Sequence, residues 1–136
     1  MNCPICAMLA DPKLVTLLAD DNCVAMLSPM PQAPGHIIIV PRVHITDVFS
    51  IDKPAWHALA DMACDVAQLV NSELGVTSVN IMHGSGPLAN EHSPHMTLHV
   101  IPRTEKSEAD AKVNKSSSNS KQNNHAEHTL KTHKNS

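Results

Sequence analysis

The stretch that most constrains this chain runs from His92 to Arg103, His-Ser-Pro-His-Met-Thr-Leu-His-Val-Ile-Pro-Arg. Between Met96 and Ile101 every residue except His99 is apolar or β-branched, and Pro94 and Pro102 bracket the run. Such a segment reads as a strand. Side chains of a strand alternate between its two faces. His95, Thr97, His99 and Ile101 therefore share one face, and Met96, Leu98 and Val100 the other. Two imidazoles four residues apart, with a hydroxyl between them, stand in line on a rigid element, as a small site of fixed geometry requires. A Cys3-Pro-Ile-Cys6 hook lies far away in sequence and is free to meet them in space.

A chain of 136 residues suffices for one domain with a modest core. Its composition breaks sharply near Arg103. Before that point Ile, Val, Leu, Met and Ala dominate; from Thr104 onward the only large aliphatics are Val113 and Leu130. Such a segment buries too little apolar surface to offset its ordering entropy, so residues 1–103 are expected to fold and 104–136 to form a disordered polar tail. Residues 1–103 carry four Lys/Arg against nine Asp/Glu, a net of −5, and the tail six Lys against four acids, a net of +2. An acidic core argues against nucleic-acid binding through the folded part. No segment reaches the length of a membrane span. The opening Met1-Asn2-Cys3 lacks the basic start and apolar run of a signal peptide. Four cysteines in such a chain suggest thiols or metal ligands rather than a disulfide framework. The expected location is cytoplasmic.

In chain order, residues 3–10 are expected to form a short helix ended by Asp11-Pro12. Leu14 to Leu18 and Cys23 to Leu27 read as a hairpin about Asp20-Asp21-Asn22. Three prolines and Gly35 fix the loop from Pro29 to Gly35. His36 to Val40 is apolar and β-branched enough to be a central strand buried on both faces. Asp52 is a candidate N-cap, Pro54 fits a first helical turn, and Trp56, Leu59, Ala60, Ala63, Ala67, Val70 and Leu74 follow helical spacing up to a stop at Gly75. Val76 to Met82 reads as a further strand, joined by the loop His83 to Glu91 to the histidine strand. The sum is an α+β domain: an antiparallel sheet of about five strands, one long helix near 53–74 and a short N-terminal helix.

Gly35-His36-Ile-Ile-Ile-Val-Pro-Arg-Val-His44, a long helix, and then His95-x-Thr97-x-His99-Val-Ile-Pro-Arg103 together resemble the histidine triad (HIT) family of nucleotide-binding proteins. The resemblance covers residues 3 to 103 and is nearest to the small homodimeric purine phosphoramidases and dinucleoside polyphosphate hydrolases. In that family the middle of three alternating histidines attacks the α-phosphate and forms a nucleotidyl-histidine, which water then hydrolyses. Here the middle position is Thr97. A threonine hydroxyl is a poor nucleophile without a base, and its phosphate ester would not turn over as a phosphoramidate does. The resemblance also places Ser28 where the family has its ribose-binding Asp, and Glu91 where it has a phosphate-side Gln. An ionised Glu91 would repel phosphate. His36, Ser85 and His99 complete the binding set that the resemblance implies, and His92 falls near the phosphate.

Some bacterial members hold a structural zinc through an N-terminal CxxC, the histidine closing the Pro-Arg/Lys-x-His segment and the first triad histidine. Cys3, Cys6, His44 and His95 match all four, and two thiolates with two imidazoles suit tetrahedral Zn²⁺. The expectation is thus a homodimeric, zinc-containing HIT protein that binds a purine nucleotide or nucleotide conjugate and is impaired in nucleotidyl transfer. Two alternatives stand beside it: an active phosphoramidase or dinucleoside polyphosphate hydrolase using His92 or His99, and a non-catalytic dimeric scaffold. Cys23 and Cys64 read as buried free thiols. His57 reads as a solvated helix side chain and His83 as a loop side chain.

Overall fold

The computed structural model of the protein describes residues 2–89 and 93–105. Thr104 and Glu105 apart, the expected tail lies outside the described residues, as do Glu91 and His92. The first helix, α1 (Pro4–Ala10), is capped by Cys3, whose sulfur accepts the Cys6 N–H. Strands β1 (Leu18–Ala19), β2 (Cys23–Leu27) and β3 (Ile37–Pro41) follow, then helix α2 (Lys53–Leu74), strand β4 (Val79–Met82), a short 3₁₀ turn (Pro87–Ala89) and strand β5 (Leu98–Pro102). The sheet order is β1-β2-β3-β5-β4, with every neighbouring pair antiparallel. This is the five-stranded α+β architecture that the sequence suggests.

Helix α2 has the expected limits because local chemistry sets both ends. Asp52 Oδ1 accepts the Ala55 N–H at 2.9 Å, satisfying a donor that the first turn leaves unpaired. At the other end Gly75 takes φ +68, its N–H donates to Asn71 O, and the Val76 N–H donates to Val70 O. Only a residue without Cβ adopts that left-handed stop cheaply. Leu59, Met62, Ala63, Val66 and Val70 bury one stripe of α2 against Ala25, Ile37, Ile39, Met96, Leu98 and Val100. The opposite sheet face carries Val24, Met26, Ile38 and Val40, covered by Cys3 and Ile5 of the N-terminal segment. β3 is buried at all five positions, as its unbroken apolar run implies.

Three strands are shorter than the sequence suggests. Of Leu14–Leu18 only Leu18 joins a strand, because Asp11 holds the Lys13 and Leu14 N–H groups in a turn and Leu14 packs beneath the sheet. The strand expected from Val76 begins at Val79, since the α2 stop takes the Val76 N–H and Asn71 Nδ2 takes its carbonyl. The histidine strand begins at Leu98 rather than Met96: the Met96 N–H donates to Ile45 O, and the Thr97 carbonyl accepts from His83. The alternation of faces persists through the irregular residues, with Met96, Leu98 and Val100 all under α2. Cys64 also differs from expectation: it sits on the exposed side of α2, whereas Cys23 is buried. No helix among the described residues is long and apolar enough to cross a membrane.

Candidate metal centre and histidine pocket

Cys3, Cys6, His44 and His95 converge although they lie up to 92 residues apart in sequence. The α1 turn presents both sulfurs, His44 follows β3, and His95 precedes β5. His95 Nδ1 lies 3.5 Å from each sulfur, and His44 Nδ1 3.3 Å from Cys6 Sγ. All four candidate ligand atoms lie within 4.8 Å of one another. A tetrahedral zinc with Zn–S of about 2.3 Å and Zn–N of about 2.0–2.1 Å keeps its ligand atoms about 3.3–3.8 Å apart. The short contacts fall in that range, so the four side chains can hold a metal ion.

The surroundings of His95 suit ligation. Its Nε2 lies 2.8 Å from the Pro41 carbonyl, which can only accept. The ring proton is therefore on Nε2, and Nδ1 turns its lone pair toward the sulfurs. Burial holds the His95 pKa below the usual imidazole range; the Pro41 hydrogen bond opposes this and the charge of His44 adds to it. The Cys6 thiol is raised by its hydrogen bond with Cys3, then by burial and by Cys3's charge. Two neighbouring thiolates repel, and a divalent cation between them reverses that balance.

A second pair of histidines occupies the same sheet face. His36 is buried, and its Nε2 lies 2.9 Å from Nδ1 of His99 on β5. The Gln32 N–H donates to His36 Nδ1 at 3.0 Å, so the neutral ring carries its proton on Nε2 and donates to His99. Gly35, at φ +80, lets the loop turn tightly into β3; a Cβ there would come within 3.4 Å of Pro102. Beside His36 lies an open cavity of about 490 Å³ lined by Leu27, Ser28, Pro31, Gln32, Ala33 and Pro34. The Ser28 hydroxyl accepts the Met30 N–H at 3.2 Å.

Thr97 lies between the two pairs in sequence, 5% exposed, and its hydroxyl donates to the His95 carbonyl at 2.9 Å. His83, read from sequence as a plain loop residue, is instead half-buried and tied to Thr97, the residue before β5. Its Nδ1 meets Thr97 O at 2.8 Å and its Nε2 meets Ser85 Oγ at 2.5 Å. The sequence signal for this arrangement is slight: a histidine and a serine two residues apart beside two glycines.

The family model for the HIT domain matches residues 12–106. The chain is 27% identical over 86 residues to a HIT-like protein of Mycoplasma genitalium, covering 63% of this chain and 61% of that one. To an adenosine 5′-monophosphoramidase of Schizosaccharomyces pombe it is 26% identical over 108 residues, covering 76% and 75%. A zinc-bound histidine triad family protein from Mycobacterium smegmatis superposes with a TM-score of 0.72 at 25% identity, over 77% of each chain. With the model match spanning well over half its length, the chain belongs to the HIT domain family.

Proposed function

We propose that this HIT-fold protein binds a purine nucleotide or nucleotide conjugate, carries a structural zinc on Cys3, Cys6, His44 and His95, and is impaired in nucleotidyl transfer. One observation carries the impairment: the side chain at the middle triad position, Thr97, is buried and gives its proton to a backbone carbonyl. Attack by a hydroxyl needs a base to take that proton, and the hydrogen bond recorded for Thr97 Oγ1 leads to His95 O. His99 lies two residues further along β5, a displacement of about 6–7 Å. That is too far for it to substitute when reacting atoms must approach to about 3–3.5 Å. His36 and Ser28 line the cavity, and His99 is the hydrogen-bond partner of His36. The phosphate-side role of Glu91, outside the described residues, is what the resemblance implies.

Support for the nucleotide comes from the family and from the phosphoramidase activity named for the yeast relative. Support for the metal comes from the ligand distances and from the zinc-bound mycobacterial neighbour. A reducing, cytoplasmic location would keep the thiolate ligands available. A homodimer is supported by β4, an edge strand whose Ile81 and Met82 are about half exposed. Beside it runs an apolar groove of about 570 Å³ that includes Trp56, Ala63, Ala67 and Leu98. A second copy covering that edge would remove an aggregation hazard. Sedimentation at micromolar concentration showing only a 14.7 kDa species would rule the dimer out.

The deciding experiment incubates wild type and Thr97→His with adenosine 5′-phosphoramidate and with diadenosine polyphosphates. Near-background turnover by the wild type is expected, with nucleotide binding still visible by calorimetry. Robust wild-type turnover, lost on His92→Ala or His99→Ala, would replace the proposal with the active-hydrolase reading. No nucleotide binding at all would favour the scaffold.

A further inference from the structure

Cys3 and Cys6 have a geometry that suits a second chemistry besides ligation. Cys3 caps α1 and Cys6 lies in its first turn, where the Cys6 N–H reaches Cys3 Sγ at 3.3 Å. Cα atoms three residues apart across a helical turn are about 5–6 Å apart, inside the range of about 4.4–6.8 Å that a disulfide spans. The two sulfurs lie within 4.8 Å of each other, and each is 3.5 Å from His95 Nδ1. A change of staggered rotamer brings sulfurs so placed into bonding contact. No other cysteine competes. Cys23 is buried on the sheet face under α2 and Cys64 lines the groove beside β4, whereas Cys3 packs on the opposite face.

Exposure separates the two thiols. Cys3 is 6% exposed, whereas Cys6 is half-buried and reaches solvent. A dissolved oxidant therefore meets Cys6 first, with Cys3 behind it as the resolving thiol, the arrangement of redox-responsive cysteine pairs. The same sulfur lone pairs serve a metal ion or each other, and they cannot serve both. Once the sulfurs are joined, His44 and His95 leave two nitrogens, short of the four ligands of a closed zinc site. The N-terminal segment is then held to the sheet only by the packing of Cys3 and Ile5 on Val24, Met26, Ile38 and Val40.

We propose that Cys3 and Cys6 form a reversible disulfide that excludes the metal, an exchange that rests on the zinc reading above and is independent of the nucleotide. The oxidant is a small peroxide. The Cys6 thiolate attacks one peroxide oxygen, the O–O bond breaks, and hydroxide leaves with the electron pair of that bond. Cys6 is then a sulfenic acid. The Cys3 thiolate attacks Cys6 Sγ, the S–S bond forms, and the S–O bond breaks to release a second hydroxide. Two thiolates and one hydrogen peroxide thus give one disulfide and two hydroxide ions. A dithiol reductant reverses the change by thiol–disulfide exchange.

The test uses the full-length chain, reduced, loaded with zinc and freed of excess metal. Hydrogen peroxide is added, released zinc is followed with a chromogenic chelator against a peroxide-free control, and alkylated peptides are mapped by mass without reduction. One zinc should be lost for each Cys3–Cys6 disulfide, seen as an N-terminal peptide lighter by two hydrogens than its reduced form. Oxidised protein should take up no zinc until dithiothreitol restores both thiols. Dimedone present during oxidation should tag Cys6, and Cys3→Ser should increase that tag while abolishing the disulfide. The order of attack is also read from the wild type alone, should the variant fail to fold. Zinc retained by protein whose disulfide has formed would overturn the proposal. So would zinc-loaded protein that forms no Cys3–Cys6 disulfide, or a tag found on Cys3 alone, and in both cases the zinc reading stands. A reduced chain that binds no zinc would instead sink the zinc reading, and the exchange with it.

Discussion

His44→Ala is the sharpest probe of the proposed metal centre, because the half-buried His44 side chain would act through the ion rather than through the core. With metal bound, the contact between Cys6 and His44 closes a loop of 38 residues. The chain-entropy relation used for disulfides assigns closure of a 38-residue loop about 4 kcal/mol. Relaxation of the native state reduces such figures, so the expected loss is about 2–4 kcal/mol. At about 4–8 °C per kcal/mol for a domain of this size, Tm should fall by roughly 10–30 °C. The fluorescence of the single tryptophan, Trp56 on α2, follows unfolding. The control is the same substitution under a chelator: with the loop already open, His44→Ala should cost less than about 1 kcal/mol, as for an ordinary surface change. Equal losses with and without chelator, or no loss in zinc-loaded protein, would refute the cross-link.

Other outcomes follow from the same structure. Burial lowers the His95 pKa, so below the ordinary histidine value of about 6.5 the unfolded chain binds more protons than the folded one. Stability of metal-free protein should therefore be complete above that pH and decline as pH falls toward the folded-state pKa, by at most about 1.4 kcal/mol per unit from this group; urea titrations at a series of pH values check the sign. Burial pushes the Cys23 thiol up to about 11, so it should resist thiol reagents at pH 8 until the protein unfolds, while a chelator should release two further reactive thiols, Cys3 and Cys6. Cys64 lines the groove beside β4, and its protection at rising protein concentration, read by the same reagent, would report pairing of two copies; unchanged reactivity would count against it. Leu59→Ala should cost about 2–5 kcal/mol in urea unfolding, since the side chain is fully buried under the sheet.

Local chemistry alone determined much of this protein. The limits of α2 follow from Asp52 and Gly75, whose cap and left-handed stop act within a few residues of themselves. The alternation that sends Met96, Leu98 and Val100 under α2 is a property of extended chain, so it survives even where β5 has not yet begun. The four candidate metal ligands were legible only as a family pattern, because no spacing rule brings residues 3 and 95 together; the fold does so by placing α1 on the sheet face opposite α2. Tertiary structure alone decided where strands lose residues, since each strand end depends on which distant donor or acceptor takes its backbone groups: Ile45 for Met96, His83 for Thr97. It also decided which apolar positions face water, leaving Cys64 exposed although a free cysteine usually packs inside. The links from His36 to His99 and from His83 to Thr97 and Ser85 have the same origin. A hydrogen bond between side chains is set to within a few tenths of an ångström by the packing of whole elements, and neither residue encodes its partner.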